Sequence, residues 1–186
     1  YDVSLDDLKN FRQLGSKTPG HPEYGHTPGV EVTTGPLGQG FANAVGFAFA
    51  SAYAAHLLNT PTAKVIDHKV YCFCGDGDLE EGISYEAASL AGHHALSNLV
   101  VVYDSNNITI EGEATIALSE NIRGRFESQG WAVLEIDGHD YMQIEKAFSE
   151  AVSGKSGKPT LIIAKTKIAK GSATMEGSHH THGAPL

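Results

Sequence analysis

Two short runs, Leu99-Val100-Val101-Val102-Tyr103 and Leu161-Ile162-Ile163-Ala164, are apolar at nearly every position. A strand with one wet face alternates apolar and polar residues, so an unbroken apolar run marks a strand covered on both faces. Such strands belong to parallel sheets, whose crossover connections are helices packed on the sheet. The chain from residue 69 onward supplies them: strand 69–74, helix 79–96, strand 99–104, helix 119–129, strand 131–136, helix 140–153 and strand 160–167. The expected fold is therefore α/β, a mainly parallel sheet with helices on both faces.

The first third of the chain reads differently. Ser4-Leu5-Asp6-Asp7 opens a capped helix ending at Leu14-Gly15. Pro19, Gly20, Pro22, Gly25, Pro28 and Gly29 then demand loop. A helix over 37–58 follows, with Leu37, Phe41, Ala44, Val45, Ala48 and Ala52 at helical spacing. Its most apolar stretch, residues 41–55, is shorter than the about 20 residues a bilayer span needs, so it is expected to be a buried helix.

At 186 residues the chain suits one domain over 1–186. Its net charge of −9 leaves no basic footprint, so nucleic acid and anionic membrane are not expected partners. Any phosphate bound here needs a metal, backbone N–H groups or histidines. Cys72 and Cys74 point to one face of their strand as buried thiols, and a cytoplasmic location is expected.

The chemistry concentrates at strand ends. Gly75-Asp76-Gly77-Asp78 follows one strand and Asn106-Asn107 follows the next, and open parallel sheets bind ligands at the carboxyl ends of their strands. A carboxylate and an amide oxygen from neighbouring strand ends suit a hard cation, Mg²⁺ or Ca²⁺, shared with phosphate oxygens. Gly77 lets backbone N–H groups face a phosphate, helped by the positive end of a helix beginning near Leu79. Taken singly, Gly-Asp-Gly is a turn and Asn-Asn a loop; their spacing joins them. Glu81 is expected in the first turn of that helix, and Glu86, between Ile83 and Leu90, on an apolar face where its carboxylate needs a partner. His21, His26 and His182 lie in Gly/Pro-rich loops, where imidazoles can donate to a diphosphate or a sugar hydroxyl. Gly35-Pro36-Leu37-Gly38-Gln39-Gly40 lacks the Lys and Ser/Thr of a nucleotide P-loop and suits backbone contact with a flat ring, with Leu37 as an apolar face.

Gly20-His21-Pro22-Glu23, Gly35-Pro36-Leu37-Gly38-Gln39-Gly40, Gly75-Asp76-Gly77 with Asn106, Asp137-Gly138-His139-Asp140 and His182-Gly183-Ala184-Pro185-Leu186 together resemble transketolase along essentially the whole chain. The resemblance implies thiamine diphosphate bound with a divalent metal, and transfer of a two-carbon ketol unit from a ketose phosphate to an aldose phosphate in the pentose phosphate pathway. It implies metal ligation by Asp76, Asn106 and the Ile108 backbone carbonyl. Gly77 and His182 would meet the diphosphate, Gly35 and Leu37 the aminopyrimidine ring, and His21 the sugar substrate. Glu81 and Glu86 would join a glutamate network across a homodimer interface, with the partner chain's second domain completing the site. The resemblance further implies a domain incomplete at both ends. It departs at Ala169-Lys170, where glycine and an aromatic are expected. Two alternatives stand beside the enzyme: a cofactor-holding, non-catalytic subunit of a split two-chain enzyme, and a dihydroxyacetone synthase-like relative.

Overall fold

The computed structural model describes residues 1–184; Pro185 and Leu186, the end of the last motif, lie outside the described residues. The chain enters with α1 (Leu5–Lys9) and, after an irregular loop, α2 (Gln39–Leu58). Strand and helix then alternate through β1 (Val70–Cys74), α3 (Asp76–Glu80), α4 (Gly82–His93), β2 (Leu99–Ser105) and a small hairpin, β3 (Ile108–Thr109) with β4 (Gly112–Glu113). They continue through α5 (Ile122–Ser128), β5 (Ala132–Asp137), α6 (Tyr141–Ser153) and β6 (Thr160–Lys165).

The four long strands form one parallel sheet in the order β1-β2-β6-β5, with Cys74 opposite Tyr103 and Asp104 opposite Ala164. The β1–α4–β2 crossover steps one way and the β5–α6–β6 crossover steps back. A single crossover handedness then places their helices on opposite faces of the sheet. Alternation along the central strands confirms this. Leu99, Val101, Tyr103, Leu161 and Ile163 pack with Phe41 and Val45 of α2 and Ala87, Ala88 and Ala91 of α4. Val100, Val102, Ile162 and Ala164 pack with Ala147 and Ala151 of α6. The parallel α/β sheet covered on both faces is the architecture expected, and both cysteines are buried in the larger cluster.

Several boundaries moved, for identifiable reasons. The Ser4 capping box forms, with Ser4 Oγ accepting from Asp7 N at 3.1 Å and Ser4 N donating to Asp7 Oδ2 at 2.8 Å. However, α1 stops at Lys9, because the Asn10 side-chain amide donates to the Asp6 carbonyl at 2.9 Å and Arg12 turns into the left-handed region. The single helix expected over 79–96 is two helices, interrupted at Glu81, whose backbone is extended. The Asp78 carbonyl accepts from the Ser84 hydroxyl, which ends α3 there. Helix α2 is long and apolar enough to cross a bilayer by length and composition, but Phe41, Ala44, Val45, Ala48 and Ser51 are buried against the sheet and α4. Its burial is one-sided rather than complete, with Phe47, Phe49 and Tyr53 exposed.

Helix α4 meets the α5–β5 turn at closest range through Gly92. A methyl group there would stand 1.7 Å from the Gln129 carbonyl oxygen, which is backbone and cannot swing aside. Gly92→Ala is therefore expected to cost about 3 kcal/mol through overpacking. Thermal unfolding checks it: the midpoint should fall by on the order of 10 °C, and an unchanged midpoint would mean that α4 and the turn are not packed in this way.

Candidate functional site

The carboxyl ends of β1 and β2 carry the site. Asp76 opens α3 and is 5% exposed. Its Oδ1 accepts from the Tyr103 hydroxyl at 2.6 Å, whereas Oδ2 is buried with no hydrogen-bond partner. Burial pushes the Asp76 carboxyl above its usual range, opposed by the Tyr103 hydroxyl and by nearby backbone N–H groups of Asn107 and Asn106. Burial, reinforced by the hydrogen bond to Asp76, likewise raises Tyr103, so its hydroxyl stays protonated and donates. A buried, ionisable oxygen without a partner is costly by itself, and a cation beside it would remove that cost.

Asn106 is held from both sides. Its Oδ1 accepts from Ile108 N at 2.9 Å and its Nδ2 donates to Asp104 Oδ2 at 3.0 Å. That fixes which end of the amide presents oxygen, and the oxygen keeps a second lone pair. Asp104 is anchored in turn by the Thr166 hydroxyl, which donates to Oδ1. Thr166 packs on the β5–α6 turn: a methyl group on Gly138 would stand 2.5 Å from Thr166 Cγ2. The Asp137-Gly138-His139 segment therefore supports Asn106 through Thr166 and Asp104. Ile108 is set by its pairing with Glu113 in the hairpin, an element the sequence pattern did not show.

Among the described residues, no three His, Cys, Asp or Glu side chains converge on one point. The donor set is one carboxylate, one amide oxygen and backbone. It suits a hard oxygen-seeking cation that takes its remaining ligands from a phosphate or water, so the residues present fit the implied metal and diphosphate.

A second carboxylate closes the site. Asp78 Oδ2 accepts from Gly75 N at 2.8 Å and Oδ1 from Gly38 N at 3.0 Å, tying the β1–α3 turn to the start of α2. Gly38 has φ 76 and lies against Ile83, Glu81 and Ser84, leaving no room for a side chain. Leu37 thereby rests on the β1–α3 turn, 3.2 Å from a methyl group placed on Gly77. Gly35 backs onto the His21 ring, 3.5 Å from its Cγ by the same construction. Gly77 occupies the first turn of α3, where N–H groups have no partner within the helix.

The structure thus brings together His21, Gly35, Leu37, Asp76, Gly77, Asn106 and Ile108. His182 lies in the exposed terminal loop, just after a 3-10 turn at His179–Thr181. His26 faces Glu23 at 3.8 Å in an exposed pair. Glu81 contributes its stem to the Gly38 contact rather than a carboxylate in the first turn of a long helix. Glu86 corrects the expectation most clearly. The buried face of α4 is Ser84, Ala87, Ala88 and Ala91, so Glu86 is exposed, not a buried acid. Ala169 adopts φ 52, a left-handed conformation that explains the expectation of glycine. Exposed Lys170 pairs with Glu176 at 3.6 Å and supplies no apolar wall. Tyr103, Asp104, Thr166 and Asp78 were not singled out from the sequence. The available signal was a tyrosine ending an apolar strand, since a buried hydroxyl must find a partner.

Along residues 1–186 the chain matches the model of the family described as transketolase, thiamine diphosphate binding domain. It is 55% identical to the transketolase of Geobacillus stearothermophilus over its whole length, covering 28% of that protein. Its structure superposes on the Campylobacter jejuni transketolase with a TM-score of 0.88 at 64% identity, covering 100% of this chain and 28% of the other. With a Pichia stipitis transketolase solved in complex with sedoheptulose 7-phosphate, the TM-score is 0.91 at 49% identity over the same shares.

Asp76→Asn should remove the buried charge and stabilise the cation-free protein by about 1 kcal/mol at pH 7. The sign follows from linkage. A carboxyl whose folded pKa lies above its usual 3.8 costs nothing below that pH and progressively more as pH rises toward its folded value. The variant's advantage in thermal midpoint should therefore grow from pH 4 upward and then level off. It should reverse when excess Mg²⁺ stabilises only the unsubstituted protein. Equal Mg²⁺ shifts in both proteins would show that Asp76 holds no cation.

Proposed function

This chain belongs to the transketolase family, and we propose that the intact protein is a transketolase, moving a two-carbon ketol unit from a ketose phosphate to an aldose phosphate. The chain spans 25% to 28% of the length of the curated relatives it matches, so this reading concerns the whole protein, of which these residues belong to the cofactor-binding domain. The observation that carries it is the buried, partnerless Asp76 Oδ2 beside the end of β2, where Asn106 is fixed with its oxygen oriented.

In this reading Asp76, Asn106 and the Ile108 carbonyl hold Mg²⁺ or Ca²⁺, the hard cation their oxygens suit. Gly77 and His182 take the diphosphate, and Gly35 with Leu37 meets the aminopyrimidine. Thiamine diphosphate, when bound, supplies the carbon centre on which the two-carbon unit is carried. The protein's part is orientation and proton handling. His21, placed against Gly35, faces the sugar's carbonyl and hydroxyls and can donate or accept there near neutral pH. Tyr103 engages Asp76 Oδ1, which leaves Oδ2 as the carboxylate oxygen without a partner until a cation meets it. A sugar phosphate substrate is supported by the Pichia stipitis relative, whose structure holds sedoheptulose 7-phosphate.

We further propose a homodimer in which the partner's second domain completes the site, with Glu81 and Glu86 at the interface. Exposed Phe47, Phe49 and Tyr53 on α2, at 52%, 42% and 61%, and Leu90 on α4, at 47%, support an apolar contact surface there. Two buried, unpaired thiols fit a reducing cytoplasm and the pentose phosphate pathway it houses.

Four preparations test the reading. The intact protein should catalyse ketol transfer, while residues 1–186 alone should show no turnover, because one wall of the site cannot hold the reacting groups in place. In the intact protein His21→Ala should lower kcat and raise the ketose KM, with a loss of about 100-fold or more in kcat/KM. His182→Ala should also weaken thiamine diphosphate binding by calorimetry. Full turnover by residues 1–186, or unaltered kinetics and cofactor affinity in His182→Ala, would overturn these roles.

A further inference from the structure

Arg12 lies outside every element that carries the site, yet its side chain touches two of the loops that deliver site residues. Its Nη1 donates to the Gly183 carbonyl at 2.6 Å, across 171 positions of sequence. A methyl group placed on Gly20 would stand 3.1 Å from Arg12 Nε and 3.3 Å from Cζ, and one placed on Gly183 would stand 2.7 Å from Nη1. The guanidinium is therefore wedged between two glycines, one immediately before His21 and the other immediately after His182. Among the described residues, no other hydrogen bond joins residues 1–35 to residues 165–184. The backbone of Arg12 is itself fixed for this task. Its N–H donates to the Thr18 carbonyl at 2.9 Å, and its φ of 62 is a conformation that a residue with a side chain adopts only when its surroundings hold it there.

We propose that Arg12 is a positioning residue that sets the separation of the His21 and His182 loops, so that both imidazoles face one sugar phosphate and cofactor site. This rests on the functional reading above. The His21 loop is already fixed against Gly35; the terminal loop carrying His182 is joined to it through Arg12. A planar guanidinium can press one face on Gly20 while an in-plane N–H reaches the Gly183 carbonyl, and a lysine ammonium can do only the second.

The test compares Arg12→Ala and Arg12→Lys with the unsubstituted intact protein, by kinetics, thiamine diphosphate calorimetry, thermal unfolding and amide exchange. Arg12→Ala should lower kcat/KM at least tenfold and weaken cofactor binding severalfold, with little change in unfolding midpoint. Millimolar guanidinium chloride, but not sodium chloride, should restore part of the loss. Arg12→Lys should recover cofactor affinity better than it recovers kcat/KM. Exchange at the His182 and Ala184 amides should rise at least tenfold in Arg12→Ala. Kinetics within twofold of the unsubstituted protein, or a loss that follows the unfolding midpoint and ignores guanidinium, would overturn the proposal. An unsubstituted protein inactive in ketol transfer would sink the functional reading alone. Arg12 would then be judged by the exchange rates, and unchanged exchange would sink it as well.

Discussion

The carboxylate of Asp78 makes the rest of the site possible. By accepting from Gly38 N and Gly75 N it joins the start of α2 to the end of β1, and the contact with Gly38 spans 40 positions of sequence. With that tie in place Leu37 rests on Gly77, and Asp76 is held inward with one oxygen on Tyr103 and the other unpartnered. The arrangement spends stability locally, because a buried oxygen of raised pKa is left without a partner while the surrounding packing keeps it in place. Local cost that the surrounding fold sustains is what a preorganised ligand site looks like before its ligand arrives.

The sheet was legible because its physics is local and periodic. Unbroken apolar runs announced β2 and β6, and the Gly-Asp-Gly and Asn-Asn turns announced where β1 and β2 end. The placement of Asp76 and Asn106 was legible for the same reason, since spacing and chain order put them at the ends of neighbouring strands. What failed was anything that depended on one specific side-chain contact. The break at Glu81 follows from the Ser84 hydroxyl taking the Asp78 carbonyl, and no periodicity encodes that choice. Glu86 was misplaced because Ile83 and Leu90 suggested a buried face, whereas the alanines of α4 are small enough to pack closely on α2. The chain of support from Gly138 through Thr166 and Asp104 to Asn106 joins three strand ends and is invisible in any one of them.

The departure at Ala169-Lys170 is also clearer in structure. Position 169 needs a left-handed backbone, which alanine adopts at a cost of about 1 kcal/mol. Glu176 holds this bend, accepting from Gly171 N at 2.9 Å and facing Lys167 at 3.2 Å and Lys170 at 3.6 Å. Those contacts draw the Glu176 carboxyl below its usual range. An electrostatic clasp thus stands where an aromatic side chain was expected, and the loop that leads to His182 is shaped by charge rather than by apolar packing.

The central claim is that the unpartnered oxygen of Asp76 belongs to a divalent cation shared with a diphosphate. Crystals of the intact protein grown with Mn²⁺ and thiamine diphosphate, measured for anomalous scattering, test it directly. The account predicts one strong manganese peak within bonding distance of Asp76 Oδ2 and Asn106 Oδ1, adjoining the diphosphate. Cofactor bound with Asp76 Oδ2 still unligated, or a manganese peak elsewhere, would contradict it.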